Sequence, residues 1–139
     1  MNSPQLNAQQ ADFALTLQKV NAFLAENQWY DFDIWDTEGH SLTIVGSLDL
    51  TLSHTLSIKF NDIFYYQLPA SWRTNPTKNV FSLPDTEEQA PINRAYEIEQ
   101  GYQMIKIVNE YDIPMYISCK SIDVSYEEKI IFILPPSRK

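Results

Sequence analysis

Residues 30–47, "YDFDIWDTEGHSLTIVGS", decide the fold, because within them the hydrophobic pattern settles into a period of two. Tyr30, Phe32 and Ile34 alternate with Asp31, Asp33 and Trp35. Beyond "DTEG", the residues Leu42, Ile44, Leu48, Leu50 and Leu52 alternate with Thr43, Val45, Ser47, Asp49 and Thr51. Successive strand side chains point to opposite faces, so each run has one apolar and one more polar side. The spacing predicts strands over 29–36 and 41–51. Asp36 suits the first position of a type I turn, because its side chain can accept from the backbone two residues on. Gly39 would supply the left-handed conformation that closes the hairpin. Gly46 falls on the leucine side and marks a bulge or a close approach.

Upstream, the period is that of a helix. "FALTLQKVNAFL" spaces Phe13, Leu17, Val20 and Leu24 as one stripe, predicting a helix over 8–27. Asn7 with Gln10 three residues on would form a capping box. Downstream, "TLSIKF" and "IFYYQL" flank Asn61-Asp62, two residues that tolerate positive φ, and read as a second hairpin. Residues 69–91 hold four prolines and read as a long loop, with a short strand at "NVFSL" and with Trp72 and Phe81 pinned to the core. Residues 92–111 fit either a helix face or a hairpin about Glu99-Gln100-Gly101, and β-branched and aromatic content favours the hairpin. Beyond it, Met115, Ile117 and Cys119 alternate before Ile122, Val124 and Tyr126 continue on the opposite parity. That slip near Lys120 predicts a bulge or corner. The expected architecture is α+β: one domain over 1–139, with the N-terminal helix packed on a curved, mainly antiparallel sheet of successive hairpins. The β-rich body spans 28–134 and a tail 135–139.

Bulk properties narrow the function. At 139 residues and 44% hydrophobic content the chain can build a core without disulfides, and its one cysteine, Cys119, cannot form an internal bridge. No apolar leader follows "MNSPQLNAQQ", and no run approaches the ~20 apolar residues that span a bilayer, so the expectation is a cytoplasmic protein without a membrane partner. A net charge of −8 disfavours nucleic acid and favours a basic partner.

Residues 30–40 place Asp31, Asp33, Asp36, Glu38 and His40 close together in sequence, a density that raises the question of a metal or acid–base site. An EF-hand register starting at Asp31 fails, because its fifth position is Trp35 and its sixth is Asp36 rather than Gly. His40 and His54 bracket a strand, and a zinc site usually needs more His or Cys than this chain offers. Cys119 lies on an apolar side with Met115 and Ile117 and reads as core. No nucleophile elbow, P-loop or dinucleotide fingerprint occurs. Neither a cofactor nor a metal is expected, and a non-enzymatic role is favoured over an enzyme of unrecognised type.

Aromatic residues exceed what a small core needs: Trp29, Trp35, Tyr65, Tyr66, Tyr111 and Tyr116. Trp29, Asp31, Asp33 and Trp35 share one strand side, and tryptophan beside carboxylates suits capture of a basic protein. The alternative is burial of the tryptophans under the helix. The stretch "LTIVGSLDLTLSHTLSIKFNDIFYYQLPASW", with its alternating strands, Asn-Asp turn and closing Trp72, resembles the β-rich part of small bacterial immunity proteins of polymorphic toxin systems. The resemblance covers about residues 28–72 and implies a protein that occludes a toxin domain, often a basic nuclease. A small-molecule or lipid-binding β domain with an aromatic-lined pocket is the competing reading.

Overall fold

The computed structural model describes residues 8–26, 29–50 and 53–130, with the side chains of 129 and 130 left aside. The chain is α+β, as its periodicities predict, and its strands are antiparallel throughout the described pairings. Helix α1 (Ala8–Ala25) is followed by β1 (Tyr30–Glu38), β2 (Ser41–Ser47), β3 (Ser53–His54), β4 (Leu56–Asn61), β5 (Tyr65–Gln67), β6 (Ser71–Thr74) and β7 (Phe81–Ser82). Then come α2 (Thr86–Ala95), β8 (Gln103–Val108), β9 (Pro114–Cys119), β10 (Ser121–Ser125) and β11 (Lys129–Ile130). A five-stranded sheet runs β10-β4-β2-β1-β6, a four-stranded sheet runs β5-β9-β8-β7, and β3 pairs with β11.

The apolar sides of the two larger sheets meet in one core. Phe32, Ile44, Ile58 and Phe60 come from the first sheet, and Phe81, Ile105, Ile107, Ile117 and Cys119 from the second. Helix α1 packs against β7 and β10, edge strands of the two sheets, and its stripe of Phe13, Leu17, Val20 and Leu24 is fully buried in the same core. Each such side chain contributes roughly 1.5–3 kcal/mol on leaving water. Asn21 of α1 also ties down β7. Its amide donates to the Phe81 carbonyl (2.7 Å) and accepts from the Phe81 N–H (2.9 Å). It thus satisfies an exposed strand edge as a further strand would.

Several expectations need correction. The first hairpin turns at Gly39-His40, not over Asp36–Gly39, because Glu38 pairs with Ser41 and Asp36 with Thr43. Gly39 has φ +60° while His40 does not have positive φ, the pattern of a II′ turn, whose twist suits a two-residue hairpin. The strand after it ends at Ser47 rather than 51, where the Ser47 hydroxyl takes the Asp49 N–H (3.2 Å) and starts a turn. Thr51 and Leu52 lie outside the described residues, as do Asn7 and the tail at 135–139. Asn61-Asp62 does not join a hairpin. Asp62 adopts φ +53°, but both sides of β4 are taken by β2 and β10, and the chain passes into the other sheet. There β5 pairs with β9, and the Phe64 N–H donates to Ser118 O (2.9 Å).

The region 69–91 is not one loop: β6, β7 and the first half of α2 occupy much of it. Trp72 and Phe81 are pinned to the core as predicted. The favoured hairpin over 92–111 is also replaced. Its first arm is the end of α2 and a turn through Glu97 (φ +50°), and only "QMIKIV" is a strand. The signal for α2 stands in the sequence: Asp85 caps it by accepting from the Glu88 N–H (2.8 Å), with Glu87 and Glu88 in the first turn and Arg94 in the last. Pro91 inside the helix obscured it. The parity slip at Lys120 is a corner, where the chain leaves the four-stranded sheet for the five-stranded one.

Candidate functional site

The predicted face is the outer side of β1. Cross-strand register builds it in rows: Arg73–Asp31–Ser47, then Ser71–Asp33–Val45–Ser57–Ser125, then Asp36–Thr43–Lys59–Asp123. A register shift between Ile34 and Asp36 makes Trp35 the extra residue of a bulge. Bulges re-aim side chains, and Trp35 stands 56% exposed, with Trp29 43% exposed just before the strand begins. Helix α1 packs on β7 and β10, and neither tryptophan is buried beneath it.

The four side chains are not equivalent, which sequence alone did not reveal. Asp31 is committed: the Arg73 Nε donates to its Oδ1 at 2.9 Å across β1 and β6. That bond and the charge of Asp31 hold the Arg73 guanidinium above its ordinary pKa. Asp33, half-buried opposite Ser71, has no ion pair within the described residues. Between them opens a recess of about 250 Å³, lined by Asp31, Asp33, Ser71, Leu50 and parts of Phe32 and Trp72. Trp35 meets the ring of His54 edge to face, 4.4 Å between centroids. Val45 lies on this outer row yet is only 2% exposed, because the chain returning through β3 packs against β2. Arg73 is the site residue that sequence reasoning missed. It became visible only when β6 was found to pair with β1.

His40 sits at the hairpin tip and His54 at the far end of β2, where Gly46 pairs with Leu56, so the two histidines do not converge. Among the described residues, no group of three or more His, Cys, Asp or Glu is placed to hold a metal ion. No helix there is long and apolar enough to cross a membrane.

A second cluster of titratable groups lies under α2, on the outer side of the four-stranded sheet. The Tyr116 hydroxyl donates to Glu88 Oε2 at 2.6 Å, and Lys106 Nζ reaches the same oxygen at 2.8 Å. Tyr116 and Lys106 are cross-strand partners. Hydrogen bonds from Lys106 and Tyr116 hold the Glu88 carboxyl below its usual range. Burial, then the bond to Glu88, pushes the Tyr116 phenol up to about 12. Each shift favours the protonation state already present near neutral pH, which fastens the helix and leaves no group poised as an acid or base. Cys119, raised to about 12 by burial, is likewise far from a thiolate.

Core side chains of the two sheets and α1 pack together, and a recess of about 440 Å³ remains along the seam of α1 with β7, lined by Leu17, Phe81 and Leu83 among others. One aromatic-lined recess, of about 490 Å³, lies on the surface and is bounded by His40, Ile63, Phe64, Tyr65 and Tyr66. No protein-family model, curated protein or solved structure matches this chain.

Proposed function

We propose that the chain is a non-enzymatic protein-binding module whose outer β1 face holds a basic protein, in the manner of an immunity protein occluding a toxin domain. One observation carries the reading: Trp29, just before β1, and Trp35, at its bulge, stand exposed, and the carboxylate of Asp33, outside any ion pair among the described residues, lies between them in sequence. A net charge of −8 steers a basic partner toward such a face, and tryptophan that excludes water strengthens each charge contact made beside it. Asp31 already holds an arginine, Arg73, so this surface has the stereochemistry for a guanidinium within its own fold.

The test uses an octa-arginine peptide as a stand-in for a basic surface, followed by tryptophan fluorescence. Trp29 and Trp35 report the face, whereas Trp72 is buried. Asp33→Lys should weaken binding at least about tenfold, and rising salt should weaken the wild-type complex. Glu97→Lys changes the net charge equally at an exposed turn and should cost less than about threefold. Equal losses in the two variants would reduce the binding to general charge attraction and discard the face. The small-molecule reading keeps one observation, the recess beside Phe64 and Tyr66. An apolar dye whose binding Tyr66→Ala abolishes would favour it.

A further inference from the structure

The loop joining β8 to β9, residues 109–113, exposes two large apolar side chains, Tyr111 at 73% and Ile113 at 55%. Exposed apolar groups on a floppy loop would signify little, but this loop is braced. The Asn109 side-chain oxygen accepts from the N–H groups of Tyr111 (2.8 Å) and Ile113 (3.0 Å). The Asp112 N–H donates back to Asn109 O (3.0 Å), and Lys78 Nζ pairs with the Asp112 carboxylate at 3.0 Å. A preorganised loop loses little freedom when a partner binds.

The loop is also continuous with the β1 face. The Glu110 N–H donates to the Arg73 carbonyl at 2.8 Å, which seats the loop on the outer edge of β6. The negative charge of Glu110 reinforces the hold of Asp31 on the Arg73 guanidinium. Arg73 thus pairs with Asp31 through its side chain while its carbonyl holds the loop that carries Glu110 and Tyr111. On the loop's far flank, Leu68, Pro69, Ile113, Pro114 and Met115 line a recess of about 390 Å³, large enough for an aliphatic side chain.

We propose that the footprint of the basic partner continues from Trp29–Trp35 across Arg73 onto this loop, where Tyr111 and Ile113 seat an apolar side chain of the same partner. The inference rests on the β1 face being the binding face. Its chemistry specifies more than charge: an apolar residue flanked by arginine or lysine, since Asp33 lies on β1 opposite Ser71 of β6 and Glu110 belongs to the loop seated on the other edge of β6. Aromatic and arginine anchors beside an apolar pocket are the usual centre of a protein interface.

Two peptides of equal charge separate the ideas: eight arginines, and eight arginines interrupted at the centre by two leucines. Wild-type protein should bind the leucine peptide at least about threefold more tightly. Tyr111→Ser and Ile113→Ser should each erase that preference and leave the affinity for octa-arginine unchanged. Amide NMR shifts at 109–113 should move with the leucine peptide and not with octa-arginine. Both side chains are largely exposed, so the folded state should survive, and thermal melts check this. A preference that is missing in the wild type, or that persists in both variants, overturns the inference while leaving an Asp33-dependent face intact. Binding of both peptides that is indifferent to Asp33→Lys removes the face, and this inference with it.

Discussion

Two glycines of the first hairpin, one in its turn and one in its second strand, do opposite jobs, and substitution tells them apart. Gly39 has φ +60° with nothing within 4 Å of where a Cβ would stand. Gly39→Val should therefore cost on the order of 1–2 kcal/mol through backbone strain alone, and Gly39→Asn much less, because Asn tolerates that region. Gly46 lacks positive φ, but a Cβ there would lie 2.7 Å from the Phe32 ring. Gly46→Ala should destabilise by about 1–3 kcal/mol through overpacking, and Phe32→Leu should relieve part of it in a double mutant. Urea melts give all of these, and a neutral Gly46→Ala would mean that the ring has room to move. Gly46 on the leucine side of its strand marked either a bulge or a close approach, and the structure makes it a close approach, to Phe32 of the neighbouring strand. At the same scale Asp31 and Asp33 look identical in sequence, and only the cross-strand Arg73 distinguishes them.

Among the elements, α2 is the most lightly held. None of its residues is buried, it is 10 residues long, and Pro91 removes one of its own hydrogen-bond donors. A helix that short is marginal alone in water, so its tertiary ties decide whether it forms. Two are evident: Glu88 to Lys106 and Tyr116, and the stacking of Tyr96 on Tyr65 at 4.4 Å. Glu88→Gln should speed amide exchange across 86–95 while the strands stay protected, at a global cost on the order of 1 kcal/mol. The pH sense follows from the lowered Glu88 pKa: its contribution is present above the unfolded value near 4.5 and is lost as pH falls through the folded one. Acid should thus loosen α2 in the wild type, and in Glu88→Gln that acid step should be absent. Exchange in 86–95 that does not respond to the substitution would mean the tyrosine stack suffices. The periodicity of α1 made it readable, whereas α2 was obscured by a proline in the midst of a proline-rich segment. Its cap, Asp85 followed by Glu88, was the legible sign.

For the whole molecule, the buried Cys119 thiol and the half-buried Tyr116 phenol predict a limit at high pH. Cys119 and Tyr116 are both raised to about 12, from 9.0 and 10.0. Raised folded values mean that their contributions are complete below those unfolded values and are lost as pH rises through about 12. Denaturant midpoints should fall between pH 9 and 12, and less steeply for Cys119→Ala and Tyr116→Phe. In that range the native Cys119 should stay unreactive to thiol reagents until denaturant is added. A flat profile, or rapid labelling of native protein, would place Cys119 outside the core. The sequence alone determined the α+β class, the α1 stripe, the β1–β2 hairpin, the core position of Cys119 and the break in strand parity near Lys120. All of these rest on local periodicity, which neighbouring residues carry by themselves. Only tertiary structure decided which strands share a sheet: that β4 pairs with β10 instead of β5, that β6 rises from a proline-rich stretch to lie beside β1, and that Arg73 thereby joins the face of Asp31. Strand pairing is a contest among distant segments for the same backbone edges, and its outcome depends on which edges are already occupied, a property no short stretch of sequence contains.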